Sequence, residues 1–100
     1  MPYAPLLSES EIAAGLSRLP DWRREGEMLT RTVEYPTFRE AIALVNRAAD
    51  AAEEANHHPD IAINWRRVTF TITTKASHGL TAKDLNMAGQ IDGLVAGAQP

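Results

Sequence analysis

Cysteine is absent from the 100 residues, which excludes disulfides, a thiol nucleophile and a zinc–thiolate site. No apolar run approaches membrane-spanning length, and the first residues lack the charged-then-apolar pattern of a signal peptide. Basic residues are scattered; Arg66-Arg67 is the one basic pair of the C-terminal half, and a net charge of −3 gives no nucleic-acid footprint. A Gly-rich phosphate loop and a Gly-x-Ser-x-Gly elbow are also missing. These absences leave a small soluble protein, expected in the cytoplasm, that works neither on nucleic acid nor at a membrane. Its length suits a single domain over residues 1–100 with a modest core.

What the chain does carry is regular patterning. After a proline-containing lead-in over residues 1–7, Ser8 with Glu11 gives a capping-box signal. Ile12, Leu16 and Leu19 give the following helix an apolar side, and it is expected to end before Pro20. Trp22–Arg24 and Met28–Tyr35 read as two strands joined around Glu25-Gly26-Glu27. Leu29, Arg31, Val33 and Tyr35 alternate with Thr30, Thr32 and Glu34, so one face of the second strand is mixed. Thr37 and Glu40 repeat the capping signal at the head of the longest helix. Its expected buried stripe is Phe38, Ala41, Ile42, Val45, Ala48, Ala49 and Ala52. Asn56 suits the left-handed residue that ends it, and Pro59 cannot continue it.

A second hairpin follows. Ile61, Ile63 and Trp65 alternate with Ala62 and Asn64, then Val68, Phe70 and Ile72 alternate with Thr69, Thr71 and Thr73. Thr81 and Asp84 open the last helix, with Leu80 and Leu85 placed to form a hydrophobic staple. Leu85, Ala88, Ile91, Leu94 and Val95 mark its buried side. The order α-β-β-α-β-β-α predicts an α+β fold: a four-stranded antiparallel sheet, three helices on one face, and an open face partly lined by threonine.

Two of the three histidines stand side by side as His57-His58, where the long helix is expected to stop. Imidazole is the side chain whose ordinary charge change lies near neutral pH, which suits it to moving protons. A helix C-terminus presents unpaired carbonyls, and Glu53, Glu54 and Asp60 add negative charge nearby. Metal binding is disfavoured, since no HxH, HxxxH or HExxH spacing supplies further ligands. Two solvated loop histidines are the plainer interpretation of the dipeptide alone. On the same terms Asp84 reads as a capping carboxylate, Trp22 and Trp65 as core residues, and His78 as a loop histidine. Residue by residue, no substrate is named.

The combination is more specific than its parts. Glu53, then His57-His58-Pro59, then Trp65, Lys75 and Asp84 stand at spacings that resemble the pterin-4a-carbinolamine dehydratase family. Gly79-Leu80-Thr81 ahead of Asp84 is similar to that family's start of the last helix, and Trp22 to the tryptophan of its first strand. The resemblance covers about three-quarters of the chain, and the family's element order agrees with the one read above.

The resemblance implies a dehydratase acting on a 4a-hydroxytetrahydropterin, the carbinolamine left by an aromatic amino acid hydroxylase, with no metal or organic cofactor. It implies His57 and His58 as the proton-transferring pair and Glu53 as the group that orients or charges one imidazole. Pro59 and Trp65 would bound the substrate, and Asp84 would hold the loop or a neighbouring side chain. It further implies a homodimer or homotetramer. Lys75 departs from the pattern, since relatives usually carry histidine or tryptophan there; His78 stands where they usually have a small residue. Either His78 supplies the absent imidazole, or Lys75 acts as a charged donor to a substrate oxygen. Family members also serve as protein-binding modules, so a binding or accessory role in another pterin or molybdopterin pathway is the rival expectation.

Overall fold

A computed structural model describes residues 4–98, so residues 1–3 of the expected lead-in lie outside the described residues. The elements are α1 (Glu9–Leu16), β1 (Arg23–Glu25), β2 (Met28–Glu34), α2 (Phe38–Ala55), β3 (Asp60–Asn64), β4 (Arg67–Ile72), a 3-10 turn (Lys75–Ser77) and α3 (Ala82–Ala98). The strands form the single four-stranded antiparallel sheet that the element pattern predicts, and their order across it is β1-β2-β4-β3.

Local chemistry sets the element ends. The Ser8 hydroxyl accepts the Glu11 N–H at 3.1 Å and the Glu11 carboxylate accepts the Ser8 N–H at 2.7 Å, a complete capping box. Those two Ser8 groups, the backbone N–H first, hold the Glu11 carboxyl below its ordinary range. Thr37 Oγ1 accepts the Glu40 N–H at 3.1 Å at the head of α2. Gly26 turns the first hairpin with φ of 61°, a conformation in which a Cβ would be strained.

The core lies between the sheet and its helices. Leu29, Val33 and Tyr35 point inward from the β2 side, and Val68, Phe70 and Ile72 from β4. Ala41, Leu44 and Ala48 of α2 meet them, with Met87, Ala88, Ile91 and Val95 of α3. Small residues let helices approach closely: a Cβ at Gly15 of α1 would sit 2.5 Å from Leu85 of α3. On the opposite face Thr30 stands against Thr71 and Thr32 against Thr69, the expected threonine-lined surface.

Two expectations need correction. The α2 stripe runs through Ala41, Leu44, Ala48 and Ala52; Phe38 is 51% exposed, Ile42 is only partly buried and Ala49 is exposed. At about 100° per residue, Phe38, Ile42 and Ala49 trail roughly a quarter-turn to one side of that stripe. Trp65 is no strand or core residue. It occupies the tight β3–β4 turn with φ of 55°, and is 67% exposed.

The mixed face of β2 has a physical resolution. Arg31 faces inward with its side chain only 14% exposed, and its guanidinium pairs with Asp92 of α3 and more distantly with Asp21. The indole N–H of buried Trp22 donates to the same Asp92 carboxylate at 2.7 Å. Asp92 thus ties β2, the segment before β1, and α3 together. Among the described residues no helix is long and apolar enough to cross a membrane. Replacing Asp92 by alanine leaves the Arg31 guanidinium with only the more distant Asp21 and the indole N–H without its acceptor, and is expected to cost about 2–3 kcal/mol. Urea unfolding should show the lower midpoint with an unchanged slope.

Candidate active site

Where α2 stops, the chain reverses through a left-handed residue. Asn56 takes φ 51° and ψ 43°, with its N–H on the Glu53 carbonyl at 3.3 Å. The His57 N–H reaches back to the Ala52 carbonyl at 3.0 Å, completing a Schellman motif. The asparagine is therefore what aims the two histidines, and they part company at once.

His57 turns inward. Its side chain is 11% exposed and its Nε2 lies 2.7 Å from Oδ1 of Asp84, which is fully buried. His58 turns outward, 54% exposed, with its Nε2 at 2.5 Å from Oε2 of the exposed Glu53. One imidazole is locked against a buried acid and the other touches a solvated one.

Asp84 is held by the start of α3. Its Oδ2 accepts the Thr81 N–H at 2.9 Å and the Thr74 hydroxyl at 2.7 Å. The Thr81 hydroxyl accepts the Lys83 N–H at 3.2 Å, so Thr81 and Asp84 cap the helix reciprocally. With His57, three donors converge on two carboxylate oxygens, the pattern of a group that only accepts. An accepting Oδ1 calls for the ring hydrogen on Nε2 of His57, and among the described residues Nδ1 makes no hydrogen bond.

The loop beyond β4 is tethered beside this pair. Thr74 and Gly79 exchange backbone hydrogen bonds at 3.2 and 3.4 Å, the Ser77 hydroxyl donates to the Ala4 carbonyl at 2.6 Å, and Leu6 bridges to Thr81. Lys75 opens the 3-10 turn inside this loop and His78 closes it with φ of 62°; both are exposed. Among the described residues, neither side chain hydrogen-bonds to the histidine pair. Pro59 is half-buried between His58 and β3. A cleft of about 160 Å³ opens at His57, lined also by Ala55, Lys83, Asn86, Met87 and Gln90.

The structure therefore brings together His57 with Asp84, and His58 with Glu53. It does not bring Trp65 to them: that residue sits beyond the far end of β3, its ring covered by the Arg66 guanidinium at 4.2 Å. Thr74 was not legible as a site residue, and only its place at the end of a threonine-rich strand hinted at a polar contact. Among the described residues no group of three or more His, Asp or Glu side chains is arranged to hold a metal ion.

The sequence matches the model of the Pterin 4 alpha carbinolamine dehydratase family over residues 5–94, which contain every side chain of this site. The chain belongs to that family. A Nocardia farcinica protein, provisionally named a pterin-4-alpha-carbinolamine dehydratase, is 55% identical over 89 residues, 89% of this chain and 94% of the relative. A Mycolicibacterium smegmatis protein of the same provisional name is 47% identical over 87% of this chain and 93% of its own. Among solved structures, a transcriptional coactivator/pterin dehydratase from Brucella melitensis superposes with a TM-score of 0.87 at 30% identity, covering 90% of this chain and 98% of that one. A pterin dehydratase-like RuBisCO assembly factor of the alpha-carboxysome shares the fold, with a TM-score of 0.65 at 23% identity over 74% of this chain and 88% of its own. The family and the fold are therefore shared, and His57, His58 and Asp84 all lie within the matched residues.

Proposed function

We propose that this chain dehydrates a 4a-hydroxytetrahydropterin to the quinonoid dihydropterin. The C4a–O bond breaks, the hydroxyl leaves as water with one added proton, and the N5 proton is lost to a base. A donor at the oxygen and an acceptor at N5 are the whole requirement. The observation that carries the reading is the unequal pairing of the histidines. His57, oriented by buried Asp84 with Nδ1 free, suits the acceptor role at N5. His58, exposed beside Glu53, suits the donor role at the leaving oxygen.

Pro59 and the tethered loop bearing Lys75 and His78 would bound the pterin, with the Lys75 ammonium available to a substrate oxygen. Trp65 has no part in this reading. An aromatic amino acid hydroxylase would supply the carbinolamine, and a cytoplasmic location accords with that supply. A second reading, a binding or accessory protein without turnover, is favoured by one observation: Lys75 stands exposed where the family usually has histidine or tryptophan.

Self-association belongs to the same proposal. Phe38 and Ile42 line an apolar hollow on the outer side of α2, while Ile63 and Trp65 are exposed on and beyond the edge strand β3. Uncovered edges of this kind invite another copy. Light scattering should give a dimer or tetramer, and a monomer at working concentration would exclude it.

Dehydration of a 4a-hydroxytetrahydropterin above the spontaneous rate is the expected result of a direct assay. His57→Ala should lower the catalysed rate about 100-fold or more. No acceleration by the native protein, or a large gain from Lys75→His, would favour the second reading.

A further inference from the structure

The deepest polar atoms at this site include two threonine hydroxyls that the proposed chemistry does not use. Thr81 is fully buried and Thr74 is 5% exposed. Each hydroxyl has one hydrogen to give. Thr74 Oγ1 donates to Asp84 Oδ2 at 2.7 Å, so its hydrogen is committed. The 2.8 Å contact between the two hydroxyls must then be donated by Thr81. Thr81 Oγ1 in turn accepts the Lys83 N–H at 3.2 Å. The donor order is forced from end to end: Lys83 N–H to Thr81, Thr81 to Thr74, Thr74 to Asp84. His57 closes on the other carboxylate oxygen.

We propose that this directed chain, running from the first turn of α3 through Thr81 and Thr74 to Asp84, sets the working tautomer of His57, and that both threonines are positioning residues. The chain starts at the amides of a helix N-terminus, where partial positive charge collects. Every link points the same way, so each bond polarises the next. At its far end Oδ2 is fully engaged by Thr74 and the Thr81 N–H, which fixes the carboxylate rotamer and aims Oδ1 at Nε2. The ring hydrogen then stays on Nε2 and the lone pair on Nδ1. Thr74 also precedes Lys75 directly and pairs through its backbone with Gly79. The residue that orders the acid therefore also sets the position of the neighbouring loop.

The kinetic consequence rests on the dehydratase reading, but the tautomer is a property of the folded protein alone. Nitrogen–proton correlation spectra of the imidazole rings should be compared for the native protein, Thr74→Val and Thr74→Ser. Valine keeps the shape without the hydroxyl, and serine restores the hydroxyl. The native His57 should carry its hydrogen on Nε2; Thr74→Val should shift part of the population to Nδ1–H, and Thr74→Ser should return it. In turnover, Thr74→Val should lower kcat about tenfold, the equivalent of one lost hydrogen bond, with KM little changed and serine again restoring the rate. A native His57 bearing its hydrogen on Nδ1 would overturn the proposal, as would a Thr74→Val spectrum matching the native one. Absence of turnover in the native protein would refute the dehydratase reading alone, and the spectra would still decide the tautomer.

Discussion

The carboxylate of Asp84 is the point on which the rest of the site depends. A fully buried acid is costly unless it is compensated, and here an N–H, a hydroxyl and an imidazole supply the compensation. Those donors come from three places: the residue just before α3, the second residue beyond β4, and the loop after α2. One group therefore caps a helix, fastens the end of a strand and orients an imidazole. Stability and the proposed chemistry share the same bonds at this position, so removing the acid is expected to cost both.

The two histidines are neighbours in sequence but not in environment, and the cause is local. Asn56 adopts the left-handed conformation, the chain doubles back, and successive side chains leave on opposite sides. His57 meets a rigid acceptor out of water, while His58 meets Glu53, whose side chain is 77% exposed. An exposed pair of that kind contributes little to stability and can break and re-form readily. Under the proposed dehydration, the held imidazole is the assigned acceptor and the exposed one the assigned donor.

Much of this was legible in the residues, for identifiable reasons. Val68, Phe70 and Ile72 alternate cleanly, Ser8 and Glu11 cap as their types require, and the sheet follows from two hairpins with a helix between. The alanine-rich α2 was harder. Small apolar residues occur around most of its circumference, so Phe38 and Ile42 resembled core residues while Leu44 was overlooked. Trp65 prolonged the alternation of β3 by one step, and no Asn-Gly or Gly marked the turn that it occupies. The inward-facing Arg31 was visible as a break in the pattern, but its partner Asp92 is 61 residues away and no local rule finds it. The histidine pair stood out by residue type and by its place at a helix end, whereas Asp84 read locally as a cap and became a site residue only through the family resemblance. The hydroxyl chain behind them was not legible, because it exists only once β4 and α3 are brought together.

Single-turnover dehydration of a 4a-hydroxytetrahydropterin by Asp84→Asn protein, measured beside the native protein, tests the central dependence most directly. Asparagine keeps the size of the side chain but must turn an NH₂ toward one of the donors that the carboxylate now accepts. The native protein should accelerate water loss over the spontaneous rate, and the variant should lose most of that acceleration while still folded by circular dichroism. Full acceleration by folded Asp84→Asn protein, or none by the native protein, would contradict it.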